Sequence, residues 1–390
     1  MRILHTADWH IGKRLGRHDR MPEFREVLAE VERIAEEQRV DLVLVAGDVW
    51  DRPIPPVDAL ALGLEALQRL AAHAPVVAVA GNHDSPELFE ALAPYLREQG
   101  KGVHLVGRIR GPREGGLLGP DALGVPAVVA AFPFLREGRV VDFMRDAGEW
   151  YGAYASRVGA ITAAYNEALV EASGGDTVPI LVAHFLVNGV KVARSAARGE
   201  RELHMGDAYA ATPQAIPAGP QYVAMGHIHA PQPVPSAAVP AHYAGSLLPL
   251  DFGEAGEQKR VVLVDVEPGT LATVTSIPLT SGRPLRRETG TWDELAARAD
   301  ELADAYLDLT VRVVGVDVEL GRRAAETFPY LVNVRAESPA VERRERPSGE
   351  RPTDEALYAA YVRETTGEDP PAELLALFKE VLDEALDATA

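Results

Sequence analysis

Five short apolar runs in this chain end on the same kind of residue, and that repetition limits the folds open to it. Arg2–Ala7 runs into Asp8-Trp9-His10, and Leu42–Ala46 into Gly47-Asp48. Val76–Ala80 runs into Gly81-Asn82-His83-Asp84, Ile180–Ala183 into His184, and Tyr222–Met225 into Gly226-His227-Ile228-His229. Short runs with few polar breaks suit strands buried on both faces. Amphipathic stretches lie between them. Glu23–Gln38 carries Phe24, Val27, Leu28, Val31, Ile34 and Ala35 at the three-four spacing of one helix face. Val57–Ala72 does the same with Leu60, Leu64, Leu67 and Leu70. Pro86–Gln99 follows Ser85, a cap with proline at the first helical position. Strand alternating with helix predicts an α/β layered fold. In such folds sites gather beyond the carboxyl ends of the strands, where all five polar clusters stand.

The clusters hold the donors of a metal pair. The chain has no cysteine, so a transition metal here must be held by His, Asp, Glu or Asn. Asp8 and His10 are two apart and reach one pocket if the chain turns at the strand end. Asp48 offers a carboxylate with two oxygens, the natural bridge between two ions. Asn82 adds a neutral carbonyl, and His184, His227 and His229 add imidazoles. With Asp48 shared, each ion receives four protein ligands and keeps positions for water and substrate oxygens. Two such ions activate water and neutralise a phosphoryl group. The leaving group needs an acid, and His83 beside a ligand is the candidate. Asp51 or Asp84 could keep it protonated, with Asp51 favoured. Each motif alone is commonly a loop accident or a turn; five in order at strand ends are not.

The ordered set Asp8-x-His10, Gly47-Asp48-x-x-Asp51, Gly81-Asn82-His83-Asp84, His184 and Gly226-His227-x-His229 resembles the calcineurin-like metallophosphoesterase superfamily over Met1 to about Asp265. The resemblance implies a four-layer α/β/β/α sandwich with a dinuclear centre, Asp48 as bridge, and Asp51 with His83 as the acid pair. The wider contexts ADWHIGKRLGR, AGDVWDRPIPP, AGNHDSPE, YVAMGHIHAPQ and YAGSLLPLDFGE, followed by Lys259, resemble a bacterial nuclease branch of that superfamily. That branch implies a double-strand DNA exonuclease that also cuts single strands and hairpins. It implies two divalent ions, manganese with magnesium as the alternative, and a dimer working in DNA repair and recombination with an SbcC-type coiled-coil ATPase. Ala230 stands where the resemblance leads one to expect a basic residue.

The rest of the chain is read to match. Residues 1–268 form the nuclease domain. His242–Asp265 adds strands to a second sheet. Residues 269–337 form a small α+β capping domain, with strands at Val274–Pro278, Thr310–Val318 and Tyr330–Arg335 and a helix at Trp292–Leu307. Residues 338–352 are polar, charged and proline-containing, a linker. Residues 353–390 are helical, with an apolar stripe of Leu374, Leu375, Phe378, Val381, Leu382 and Leu386 suited to docking on the ATPase. Helices 57–72 and 86–99 are the expected homodimer contact.

The net charge of −19 argues against broad adhesion to nucleic acid. However, Thr353–Ala390 holds ten acidic and two basic residues, giving −8. Basic residues instead cluster after two ligands: Lys13, Arg14, Arg17 and Arg20 after His10, and Lys191, Arg194, Arg198 and Arg201 after His184. They are the expected DNA phosphate contacts. The N-terminus lacks the apolar stretch of a signal peptide, and no run is long enough to span a membrane, so a cytoplasmic protein is expected. A small-molecule or phosphoprotein phosphoesterase and a metal-free scaffold are the competing readings. The tail and cap weigh against the first, the intact donor set against the second.

Overall fold

The computed structural model describes residues 1–98, 100–136, 154–191, 210–315, 317–338, 353–366 and 368–387. The chain divides into two compact units, Met1–Glu337 and Ser338–Ala390.

Two six-stranded sheets dominate the first unit. One runs β14-β13-β1-β2-β3-β4, where β1 is Arg2–Thr6, β2 Leu42–Val45, β3 Val76–Val79, β4 Val103–Val106, β13 Arg260–Asp265 and β14 Thr273–Pro278. Strands β1 to β4 are parallel, while β13 and β14 add antiparallel. The other runs β11-β12-β10-β7-β6-β5, with β5 Leu117–Leu118, β6 Ala127–Phe132, β7 Val178–His184, β10 Tyr222–Gly226, β11 Gln232–Pro233 and β12 Ala241–Tyr243. A short parallel pair, β8 (Leu186–Val187) and β9 (Ala210–Ala211), lies beside it.

Period-two side-chain alternation sorts the strand residues into separate cores. Leu4, Val43, Val45, Val76 and Ala78 pack with helices α1 (Met21–Glu37), α2 (Val57–His73) and α3 (Pro86–Leu96). Their neighbours Ile3, Leu42, Leu44, Val77 and Val79 meet Val129, Ile180, Val182 and Ala224 of the second sheet. The far face of that sheet, through Val128, Leu181 and Val223, takes Val158, Ile161 and Tyr165 of a long helix, Tyr154–Ala172. Every helix expected around the first sheet forms. Ser85 caps α3 as expected, its Oγ accepting from Leu88 N at 3.2 Å.

The small module differs from its expectation in three ways. Val274–Pro278 belongs to β14, paired along its length with β13, and so extends the first sheet. The module therefore begins after Pro278. Trp292–Leu307 is not one helix. A Thr291–Glu294 capping box starts a short helix at Trp292–Ala296, a second covers Ala299–Leu302, and Tyr306 already begins a strand. Its three strands, β15 (Leu285–Thr291), β16 (Tyr306–Arg312) and β17 (Leu331–Glu337), are all parallel, so the module is a β-α-β repeat. The strand expected to reach Val318 stops at Arg312, before a turn at Gly315 with φ of 84°.

In the second unit, helices Asp354–Thr366 and Ala372–Asp387 form a hairpin held by Tyr358 stacked on Phe378 at 4.1 Å. The expected stripe divides. Leu375, Phe378 and Leu382 are half-buried, whereas Leu374, Leu377 and Val381 are exposed together with Leu357 and Tyr361. Most of the expected linker lies outside the described residues.

Candidate metal centre

Four of the seven predicted ligands stand just past strand ends where the backbone turns left-handed. Asp8, His10, Asp48 and His227 have φ of 50°, 47°, 52° and 95° and are four of the six non-glycine residues with positive φ among the described residues. Such a conformation costs about 1–2 kcal/mol per residue, so the surrounding bonds must hold it. Asp8 N donates to Gly47 O at 2.9 Å, His10 N to Asp48 O at 3.0 Å and Ile11 N to Val49 O at 3.0 Å, carrying the β1–β2 pairing into the loops. Trp9 is fully buried, and its Nε1 donates to Thr6 Oγ1 at 3.0 Å, which anchors the turn between Asp8 and His10. Glycine precedes three ligands for want of space. A Cβ on Gly47 would lie 2.1 Å from His184 Nδ1, on Gly81 2.0 Å from Asp48 Oδ1, and on Gly226 1.8 Å from Ala46 O.

The seven predicted ligands converge as two groups. In the first, His10 Nε2 and His229 Nε2 are 3.1 Å apart, and donor atoms of Asp8, His10 and His229 lie within 4.8 Å of one another. In the second, Asn82 Oδ1 is 2.9 Å from both His184 Nε2 and His227 Nδ1. Asp48 Oδ2 lies 3.5 Å from His10 Nε2 and 3.4 Å from His184 Nε2, one imidazole of each group. It is the carboxylate placed to be shared.

The donor chemistry fits divalent cations. His184 Nδ1 donates to Ala46 O at 2.8 Å, and His229 Nδ1 to Glu254 Oε1 at 3.0 Å. A carbonyl and a carboxylate only accept, so each neutral ring turns a bare Nε2 into the pocket. The His184 lone pair then faces the Asn82 oxygen, and that of His229 faces His10. Where the His184 lone pair meets the Asn82 oxygen, a proton or a cation must lie between the two acceptors. Burial lowers the His184 pKa, but Asp48 outweighs it and raises it to about 9. A proton therefore holds the Nε2 position in the metal-free molecule, and a cation competes with it for that lone pair. Burial drives the Asp8 pKa up; it acts the same way on Asp48, but His184 and other imidazoles overcome it and hold that carboxyl well below its usual range. The arrangement is a divalent-metal centre.

His83 is beside Asp48. Its N donates to Asp48 Oδ1 at 2.8 Å, and its ring meets that of His10 edge-on at 4.6 Å. Its orienting partner is not the expected carboxylate. His83 Nδ1 donates to the main-chain oxygen of Asp51 at 2.9 Å. The Asp51 carboxylate turns instead to Lys13 Nζ at 3.1 Å and His10 Nδ1 at 3.7 Å. Asp84 accepts from Val49 N, Trp50 N and Gly81 N at 3.2, 3.0 and 2.9 Å, clamping the β2 and β3 loops together.

Of the basic residues, Lys13 reaches the site through Asp51, and Arg14, Arg17 and Lys191 are exposed. Arg20 does not face phosphate. It is fully buried, its Nε donating to Glu23 Oε2 at 2.7 Å, and its guanidinium lies 5.3 Å from the Tyr306 ring centre. Arg194, Arg198 and Arg201 lie outside the described residues. Two residues near the site carried no signal in the sequence. Phe134 stacks on His227 at 5.8 Å, and Arg136 Nη2 donates to Asp84 O at 2.6 Å. Both follow β6, whose end has no ligand to mark it.

The calcineurin-like phosphoesterase family model matches residues 1–231. Among characterised proteins, the chain is 33% identical to the SbcD subunit of the nuclease SbcCD from Bacillus subtilis, over 98% of this chain and 97% of that protein. The SbcD subunit from Rhodobacter capsulatus is 35% identical over 78% of this chain and 76% of its own length. The one from Escherichia coli is 29% identical over 94% and 90%.

Proposed function

The chain belongs to the calcineurin-like phosphoesterase family, in the group of SbcD nuclease subunits, and from that premise we propose that it is a metal-dependent DNA nuclease acting with an SbcC-type coiled-coil ATPase in DNA repair and recombination. The observation that carries this reading is the pair of donor groups joined by Asp48. Asp8, His10, Asp48 and His229 would hold one ion, and Asp48, Asn82, His184 and His227 the other, with manganese or magnesium as the metal. When bound, such ions supply Lewis-acid charge to the phosphoryl oxygens and acidify the attacking water.

The chain's own residues do the rest. His83, fixed through Nδ1 on the Asp51 carbonyl, presents Nε2 to protonate the leaving oxygen. The Asp51 carboxylate steadies His10 and Lys13. Lys13, Arg14, Arg17 and Lys191, with Arg194 and Arg198, would hold DNA phosphates without reading sequence. The activities proposed are a double-strand exonuclease and a single-strand or hairpin endonuclease, in the cytoplasm. No helix among the described residues is long and apolar enough to cross a membrane.

Partner surfaces support the same reading. Ile54 in the loop before α2, Val57 at the first position of α2 and Tyr95 on α3 are exposed apolar residues at 88%, 83% and 75%. They suit a homodimer through helices 57–72 and 86–99. The outward Leu357, Tyr361, Leu377 and Val381 of the tail hairpin suit docking against the ATPase coiled coil. The small module that follows Pro278 would cap the DNA path.

The test is to incubate the protein and manganese with end-labelled duplex, a hairpin and bis-p-nitrophenyl phosphate, with His83→Gln in parallel. Cleavage of duplex ends and hairpins is expected. Turnover of the small ester alone would overturn the nuclease reading in favour of a small-molecule phosphodiesterase.

A further inference from the structure

Beside the ligand His229 lies a buried charge pair that the metal centre does not include. Glu254 is fully buried and Lys259 is 4% exposed. Glu254 Oε1 accepts from His229 Nδ1 at 3.0 Å. Its other oxygen takes Lys259 Nζ at 2.7 Å and Leu250 N at 3.1 Å, with Ser246 Oγ at 3.2 Å. Lys259 Nζ also donates to the main-chain oxygen of His229 at 3.0 Å and to Glu257 at 2.9 Å. One carboxylate thus grips the His229 ring and one ammonium grips its backbone.

An isolated carboxylate this deep is costly, and a buried ion pair is often no more stabilising than apolar residues of the same volume. The pair's value must come from what it holds. A carboxylate accepting from Nδ1 fixes one tautomer of His229, orients its ring, and makes the far nitrogen a better donor. That far nitrogen, Nε2, is the atom 3.1 Å from His10 Nε2. We infer that Glu254 is a positioning residue for the first metal site, with Lys259 as its buried partner, bonded both to that carboxylate and to the His229 backbone. The inference rests on the dinuclear reading of the site.

The turn that carries Glu254 (Phe252–Glu254) explains its rigidity. Asp251 caps the turn through its side chain onto Gly253 N, and Phe252 packs with Leu15, Leu285 and Tyr306. The carboxylate is therefore set from both sides, by the module's first strands and by the loop following His10.

The experiment measures Mn2+ binding by calorimetry and by electron paramagnetic resonance on the full chain, without substrate. The unaltered chain should bind two ions with a spin-coupled signal. Glu254→Gln keeps the shape but loses the charge. One Mn2+ affinity should fall about 10–100-fold while the other stays within about threefold, and a mononuclear signal should replace the coupled one. Glu254→Gln with Lys259→Met removes both charges together. It should melt near the parent when metal-free yet keep the weak site. Parental affinity for both ions in the single variant, or its recovery in the double variant, would reduce the pair to a structural ion pair and overturn the inference. His229→Ala should lose the same site. If the unaltered chain binds fewer than two Mn2+ ions, the dinuclear reading itself fails and this inference falls with it.

Discussion

Replacing Gly81 by alanine should cripple the centre without removing a single ligand. The added Cβ would lie 2.0 Å from Asp48 Oδ1, 2.5 Å from Asp48 Cγ and 2.5 Å from Asp48 N. Real Cβ atoms essentially never approach within 3.0 Å, so the β3 loop and the shared carboxylate must separate by about 1 Å. Rotating the carboxylate relieves its oxygen but not the contact to the main-chain nitrogen. The loops must then part, although Asp84 clamps them through Gly81 N, Val49 N and Trp50 N. Overpacking of this kind costs about 1–3 kcal/mol of stability, and a misplacement of about 1 Å at a reacting centre costs about 100-fold in rate. In Mn2+-supported hydrolysis of bis-p-nitrophenyl phosphate, kcat/KM should therefore drop about 100-fold, or about 2.7 kcal/mol of transition-state stabilisation. Gly159→Ala is the control. Its Cβ meets nothing within 4 Å inside the helix Tyr154–Ala172, so activity should hold and stability rise by about 0.5–1 kcal/mol. Activity of Gly81→Ala within threefold of the parent would refute the reasoning.

His83→Gln should lower kcat by about 100- to 10,000-fold, whereas Asp51→Asn keeps the carbonyl that orients His83 and should stay within about tenfold. Equal losses in the two variants, measured at saturating Mn2+, would restore the Asp51 carboxylate as the orienting group. Arg20→Met breaks a buried ion pair and should cost about 3–5 kcal/mol of stability while the salt dependence of duplex binding is unchanged. A fall of about 0.9 in the log–log salt slope would return Arg20 to the DNA contacts. Burial raises the Glu23 pKa, but its bonds from Arg20, Arg283 N and Tyr306 hold it below its usual 4.5. A depressed carboxyl contributes stability that is complete above the unfolded value and is lost as pH falls through the folded one. Glu23→Gln should therefore melt lower than the parent at pH 7, with the gap closing as pH falls below the usual carboxyl value. A gap that widened in acid would contradict this.

The ligands were legible in sequence because each stands where an apolar run ends, and a strand end fixes position well enough to predict convergence. The same local logic fails wherever a side chain's direction is decided elsewhere. Arg20 shares a basic loop with Lys13 and Arg17, but Glu23 one helical turn on and Tyr306 far along the chain draw it inward. Asp51 does meet His83, yet no spacing rule separates a carbonyl from a carboxylate. Val274–Pro278 reads as a strand, and its mostly exposed residues suit any sheet edge; β13 decides which. Glu254 lies 25 residues beyond His229 and acts only because the chain between them folds back.

Those failures share a cause with the chemistry. Asp8, Asp48 and Asp84 are all buried near one another, and several ligands sit on left-handed backbone. Judged by stability alone, this region sets local conformation and burial against each other. Burial and the charge of Asp48 push the Asp84 pKa up to about 7 even though three N–H groups favour its ionised form. A protonated His184 offsets part of that repulsion in the metal-free molecule, at the price of occupying a nitrogen a cation needs. Two divalent ions held there would resolve both conflicts together, by neutralising the carboxylates and displacing the His184 proton. The strand frameworks beneath, with their apolar cores on both faces, supply the stability that lets the loops above hold such a conflict in place.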